Sequence, residues 1–148
     1  MKIAIGSDHG GYNLKQTIKK YLNDKNITFF DFGTDSDASC DYAPIAFTTC
    51  EAVINGDYDY AVLVCGTGVG ISIAANKVKG IRAACCSDTF SARMTRLHNN
   101  ANVLCLGERV TGAGLAVDIT GIFLNTPFEG GRHLTRINQI KDYEKALK

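Results

Sequence analysis

Short apolar runs alternate with amphipathic stretches along the whole chain. The apolar runs fall at Lys2–Gly6, Ile27–Phe32, Tyr60–Cys65, Ile81–Cys86 and Val103–Leu106. Their near-continuous hydrophobicity predicts strands of a parallel sheet covered on both faces. Between them, Tyr12–Leu22 places Leu14, Ile18, Tyr21 and Leu22 on one side, as a helix would. Further helices are predicted at Ile45–Ile54, Ile71–Lys77, Phe90–His98 and Ala113–Leu124. Right-handed crossovers then give an α/β fold: a five-stranded, doubly wound, Rossmann-like sheet with helices on both faces. Ligands of such a sheet gather at the carboxyl ends of the strands. An extra C-terminal helix, Arg132–Lys148, has no strand after it, so it packs on the domain or reaches a partner subunit. No repeat or Pro/Gly-rich linker interrupts the pattern, which predicts a single domain over 1–148.

Charge changes this picture little. With a formal net charge of +1, no global field attracts nucleic acid or an anionic membrane, so any anion site must be built locally. No apolar run approaches the roughly 20 residues of a membrane span, and no signal-peptide core follows Met1; a cytoplasmic protein is expected. The six cysteines contain no C-x-x-C pair, and His9, His98 and His133 show no zinc-ligand spacing. Most of the thiols are expected to be small core residues.

The strand ends carry the chemistry. Gly6-Ser7-Asp8-His9-Gly10-Gly11 follows the first strand, and Asp41-Tyr42 lies beyond the second. Cys65-Gly66-Thr67-Gly68-Val69-Gly70 closes the third, Ser87-Asp88 the fourth and Gly107-Glu108-Arg109 the fifth. The glycines after Cys65 make a backbone able to cradle an anion at a helix start. A dinucleotide fingerprint would need glycine at position 71, a phosphate-binding Walker loop would end in Lys-Ser/Thr, and a cysteine phosphatase loop would place arginine there. Ile71-Ser72 fits none of them. What remains is a thiol at a helix N-terminus, where cysteines ionise more readily, beside amides able to hold an oxyanion. An isolated cysteine would more often be a buried strand end, but the adjoining glycine loop reverses those odds.

His98 closes the fourth helix, where it could move a proton near neutral pH or simply face the helix dipole. His9 follows Asp8, whose bland role would be helix capping. Arg132 and Arg136, four apart, share a helix face and offer two guanidinium forks suited to phosphate; a solvated basic face is the plainer reading. Arg109 adds a third cation at the active edge.

Taken jointly, these segments resemble the type B ribose-5-phosphate isomerases and the related galactose-6-phosphate isomerase subunits. The likeness rests on the glycine-rich segments already quoted, extended through Ile71-Ser72-Ile73-Ala74-Ala75-Asn76-Lys77, and on Gly80-Ile81-Arg82-Ala83, His98-Asn99 and Gly130-Gly131-Arg132-His133. Thr67, within the glycine loop, is read as a supporting donor to the enediolate; the resemblance implies that Cys65 is the proton acceptor and His98 the acid that helps open the sugar ring. It implies substrate contacts from Asp8, His9, Tyr42, Gly66, Gly68, Val69, Gly70, Asn99, Arg109, Arg132 and Arg136. It further implies a homodimer or dimer of dimers with sites at the subunit interface, and neither metal nor organic cofactor. One departure is visible: the family's Asp-Tyr-Pro is here Asp41-Tyr42-Ala43-Pro44. A hexose phosphate substrate, or a non-catalytic sugar-phosphate sensor, are the alternatives to ribose 5-phosphate isomerisation.

Overall fold

The computed structural model describes residues 1–147. Strands β1 (Lys2–Ser7), β2 (Thr28–Asp31), β3 (Tyr60–Cys65), β4 (Ala83–Cys85) and β5 (Val103–Gly107) form one parallel sheet in the order β2-β1-β3-β5-β4. The helices are α1 (Tyr12–Asp24), α2 (Tyr42–Ile54), α3 (Val69–Ala75), α4 (Thr89–Asn99), α5 (Ala113–Asn125) and α6 (Arg132–Ala146), with a short 3-10 turn at His9–Gly11. Alternate strand residues face opposite layers, as the pleat requires. Ile3, Ile5, Val62, Val64, Leu104 and Leu106 pack against α1, α4 and α5 through Leu14, Ile18, Ala92, Ile119 and Phe123. Ala4, Ala61, Leu63, Cys65, Val103 and Cys105 pack against α2 and α3 through Ala46, Cys50, Ile71, Ala74 and Ala75. Both faces are therefore covered, which is why the central strands read as unbroken apolar runs.

The expected doubly wound sheet, five strands and trailing helix are all present, with shifted boundaries. Strand β4 is shorter than Ile81–Cys86 because side-chain amides satisfy its entrance. Asn102 Oδ1 accepts from the Arg82 N–H at 2.8 Å, and the Asn76 amide pairs with both backbone groups of Ala83 at 2.9 Å. Helix α2 starts at Tyr42 rather than Ile45, since Pro44 in its first turn removes an N–H that no helical partner would receive. Helix α3 starts two residues earlier than expected and ends in tight turns, Lys77 N–H to Ala74 O and Val78 N–H to Ala75 O. The expected end of α6 at Lys148 lies outside the described residues. Among the described residues no helix is long and apolar enough to cross a membrane.

Candidate active site

The carboxyl edge of β3 is set by backbone packing. Cys65 lies opposite Gly107 in the ladder, and Glu108 and Arg109 donate their N–H groups to the Cys65 and Gly66 carbonyls at 2.9 and 3.0 Å. A Cβ on Gly107 would come within 2.5 Å of the Thr67 carbonyl, so the strand can approach the loop only as glycine. Gly68 has φ +80°, a left-handed conformation that favours glycine, and a Cβ there would lie 2.8 Å from Cys85 Sγ. In that conformation its N–H donates to Cys65 Sγ at 3.1 Å. Thr67 Oγ1 accepts from the Val69 N–H at 3.3 Å, fastening the loop to the start of α3.

Other candidates converge on this loop. A Cβ built on Gly10 would meet Gly66 N at 3.1 Å and Asp8 Oδ1 at 3.4 Å. The Tyr42 ring lies 3.0 Å from the position a Gly70 Cβ would take, and the Arg109 guanidinium 3.5 Å from that of Gly66. Asp8 is buried, caps no helix and leaves Oδ1 without a hydrogen-bond partner, so capping does not account for it. His9 Nδ1 lies 3.1 Å from the Cys40 N–H. Accepting that proton leaves Nε2–H as the donor of the neutral ring. Asp88, by contrast, caps α4 by accepting from the Ser91 N–H at 2.7 Å and belongs to the scaffold.

Cys50, Cys86 and Cys105 are buried core thiols, whereas Cys40 is partly exposed and Cys85 exposed. Burial, with Glu51 nearby, pushes the Cys50 thiol up to about 12. Burial, with Cys85 and Asp88, pushes Cys86 up to about 11, and burial holds Cys105 well above its ordinary range. Cys85 is likewise raised, first by desolvation and then by Cys65. Cys65 alone among the six accepts a backbone N–H at the glycine loop.

A second group lies elsewhere. Helix α4 leaves the carboxyl edge of the sheet at Thr89 and runs back over 11 residues to feed β5. Its end is therefore about 16 Å from its start. His98 and Asn99 thus sit toward the sheet edge opposite Cys65, and one protomer does not bring Cys65 and His98 together. Around His98 gather Glu129 and His133, with Arg132 and Arg136 on the first turns of α6. Glu129 Oε2 is 3.8 Å from Nε2 of both histidines. The two imidazoles stack with centroids 4.2 Å apart and planes 11° apart. Sequence spacing gave no sign of this pair or of Glu129.

The three ligand atoms lie within 4.8 Å of one another, a spacing a divalent cation could use. The charges around them favour an anion instead. Arg132 Nε is 3.5 Å from His133 Nε2. Burial pushes the His133 pKa down, the charge of His98, then Arg132 and Arg136, adds to that, and Glu129 opposes it.

The chain is similar to known proteins along nearly its whole length. A family model described as Ribose/Galactose Isomerase matches residues 3–140. The structure of ribose-5-phosphate isomerase B from Clostridium thermocellum has a TM-score of 0.97 at 53% identity, covering 99% of both chains. Ribose-5-phosphate isomerase B of Escherichia coli (strain K12) is 46% identical over 97% of each chain. The Mycoplasma genitalium ribose-5-phosphate isomerase B, solved with bound ribulose-5-phosphate, has a TM-score of 0.94 at 44% identity, covering 99% of this chain and 97% of its own.

Proposed function

The chain belongs to the ribose/galactose isomerase family, and from that premise we propose that it interconverts ribose 5-phosphate and ribulose 5-phosphate in the cytoplasm. The observation that carries the reading is Cys65 at the end of β3, its sulfur accepting the Gly68 N–H at 3.1 Å beside the buried, unpartnered Asp8 carboxylate. A thiolate there removes the proton from C2 of the open aldose. The electron pair forms the C1–C2 double bond, and the enediolate oxygen is held by amides of the Gly66–Gly70 loop, with Thr67 in support. The O2 hydroxyl gives up its proton, O1 gains one, and return of the carbon-bound proton to C1 gives the ketose. The chemistry balances without a metal or organic cofactor.

His98 serves ring opening. Because it lies toward the other sheet edge, the complete site is formed by two copies, one contributing Asp8, His9, Tyr42, the Cys65–Gly70 loop and Arg109. The other contributes His98, Asn99, Arg132 and Arg136, with the arginines on the phosphate. A two-fold pair then holds two such sites, which supports a homodimer or a dimer of dimers. Exposed Leu134, Ile140 and Tyr143 on α6 are apolar surface that such a contact would cover.

The test is turnover of ribose 5-phosphate and allose 6-phosphate with a chelator present, beside Cys65→Ala. Ketose formation from the pentose, falling on the order of 10²–10⁴-fold in the variant, is expected. Activity on the hexose alone changes the substrate but keeps the mechanism, whereas undiminished turnover by Cys65→Ala removes the base assignment. Mixing inactive Cys65→Ala and His98→Ala proteins is expected to restore activity through hybrid dimers; no recovery argues against the shared site.

A further inference from the structure

We propose that Glu129 and His133 are positioning residues that hold the His98 imidazole for opening the sugar ring. The inference rests on the isomerase reading and extends it to two side chains that the proposed reaction does not otherwise use.

The segment between α5 and α6 is tied to the end of α4 by two hydrogen bonds, one to the Thr126 carbonyl and one from the Glu129 N–H. Arg96, buried on α4, donates from Nε to the Thr126 carbonyl at 3.2 Å. The Glu129 N–H donates to the Leu97 carbonyl at 3.0 Å, which places the Glu129 side chain beside His98. Gly130 and Gly131 follow with φ +74° and +53°, a reversal that side-chain-bearing residues rarely adopt. That reversal returns the chain so that His133, only 3% exposed, lies flat against the His98 ring. His98 keeps 38% of its side chain exposed, so one side of the ring is held and the other is open. At 3.8 Å the Glu129 carboxylate is at ion-pair rather than hydrogen-bond distance, and it reaches Nε2 of either ring. The stacked His133 ring on one face and the carboxylate beside Nε2 restrict how the His98 ring can turn. Arg132 and Arg136 face the same cluster and keep it from being a simple acidic patch.

Ring opening breaks the C1–O4 bond of the furanose. The anomeric hydroxyl gives up its proton, O4 gains one, and C1 becomes the aldehyde carbon, so His98 accepts one proton and returns one with no net change. Glu129 touches neither sugar nor reacting atoms in this scheme and acts through His98.

The proposal separates ring chemistry from carbon–hydrogen chemistry. Ribulose 5-phosphate is acyclic, because the oxygen that would close its five-membered ring carries the phosphate. Exchange of its C1 proton therefore reports enolisation alone, while ribose 5-phosphate formation also needs ring closure. In Glu129→Gln, kcat for ribose 5-phosphate is expected to fall roughly tenfold with KM changed less than about twofold, a fraction of what a positioned acid contributes. In D2O, deuterium entering C1 of ribulose 5-phosphate per ribose 5-phosphate formed is expected to rise above the unmodified protein's ratio. His133→Phe, which keeps a flat ring against His98, is expected to retain more turnover than His133→Ala. An unchanged exchange ratio in Glu129→Gln, including none in either protein, overturns the positioning role. An unmodified protein that forms no ribose 5-phosphate instead removes the isomerase reading itself.

Discussion

At the carboxyl edge of the sheet the candidate residues are held by backbone packed on backbone, whereas at the end of α4 they are held by side chains on a partly open surface. Around Cys65 the contacts leave no room for a Cβ: Gly11 against Val64, Gly33 against Ser7 and Gly107 against Thr67 all come under 3 Å. Around His98 the contacts are an imidazole stack, a carboxylate at ion-pair distance and exposed arginines. The first arrangement suits a base and an oxyanion cradle, whose geometry must be fixed before the substrate arrives. The second suits groups that move protons and grasp a flexible phosphate. Changes to the packing of the first edge are therefore expected to appear in stability, and changes at the second in binding or rate.

Lys15 tests the first half of that contrast most severely. It is fully buried on α1, pairs with Asp31 at 2.9 Å and donates to the Thr34 carbonyl, which ties the loop after β2 to α1. Lys19 also reaches Asp31, at 2.8 Å, and the Gly33 N–H donates to it at 2.9 Å, so Lys15→Met leaves the carboxylate partnered but strands the Thr34 carbonyl. A loss of about 3 kcal/mol is expected, in the range for breaking one side of a buried pair. Thermal melting that shows no drop would move the rigidity of this edge to the glycine contacts alone.

Gly107→Ala comes next. Its Cβ would meet Thr67 backbone, which cannot rotate away, so a cost of roughly 1–3 kcal/mol is expected together with reduced kcat/KM as the loop shifts. Gly114→Ala, inside α5 where the added carbon meets open space, is the control and is expected to leave stability unchanged or slightly higher. Equal behaviour of the two variants would mean the loop yields easily, and the contrast between the edges would fail.

The same contrast explains what the sequence discloses and what it hides. Strands covered on both faces are unbroken apolar runs, so β1, β3 and β5 are readable directly, as is the glycine loop opening α3. Strand β4 misleads because Asn76 and Asn102 side chains stand in for backbone partners, which hydrophobic periodicity does not record. The placement of β5 between β3 and β4 is invisible locally, whereas the end of α4 lies far from Cys65 because the helix runs back to the opposite edge of the sheet. His98, Glu129 and His133 are separated along the chain and meet only because Gly130 and Gly131 reverse it. Glu108 is a similar case: it accepts from the Leu14 N–H at 2.9 Å and so caps α1, across more than half the chain.

Acid titration gives a smaller effect on the same edge. Burial would raise the Asp31 pKa, but the Lys19 and Lys15 ammoniums and the Gly33 N–H outweigh it and hold it below its ordinary value. A carboxyl depressed in the folded state contributes stability that is fully present above its unfolded pKa. That contribution is lost as pH falls from about 4 through the folded value. Unfolding midpoints are expected to decline across this window, and by less in Asp31→Asn. Parallel declines in the two proteins would place the acid sensitivity elsewhere.

Arg136 probes the opposite edge, where the expected stability change is smallest and the functional signal clearest. The side chain is exposed on the first turns of α6, so Arg136→Ala is expected to alter the unfolding free energy by less than about 0.5 kcal/mol. Inhibition by inorganic phosphate is nevertheless expected to weaken, because a guanidinium fork matches phosphate oxygens and its loss leaves Arg132 and Arg109 to hold the group. Raising the salt concentration is expected to weaken phosphate inhibition of the unmodified protein more than that of the variant, since screening acts on the charge that was removed. If inhibition by phosphate is unchanged in Arg136→Ala, the second copy does not offer this residue to the substrate. The phosphate would then have to be held from the rigid edge, by Arg109 and the amides of the glycine loop, leaving Arg136 as part of a solvated helix face.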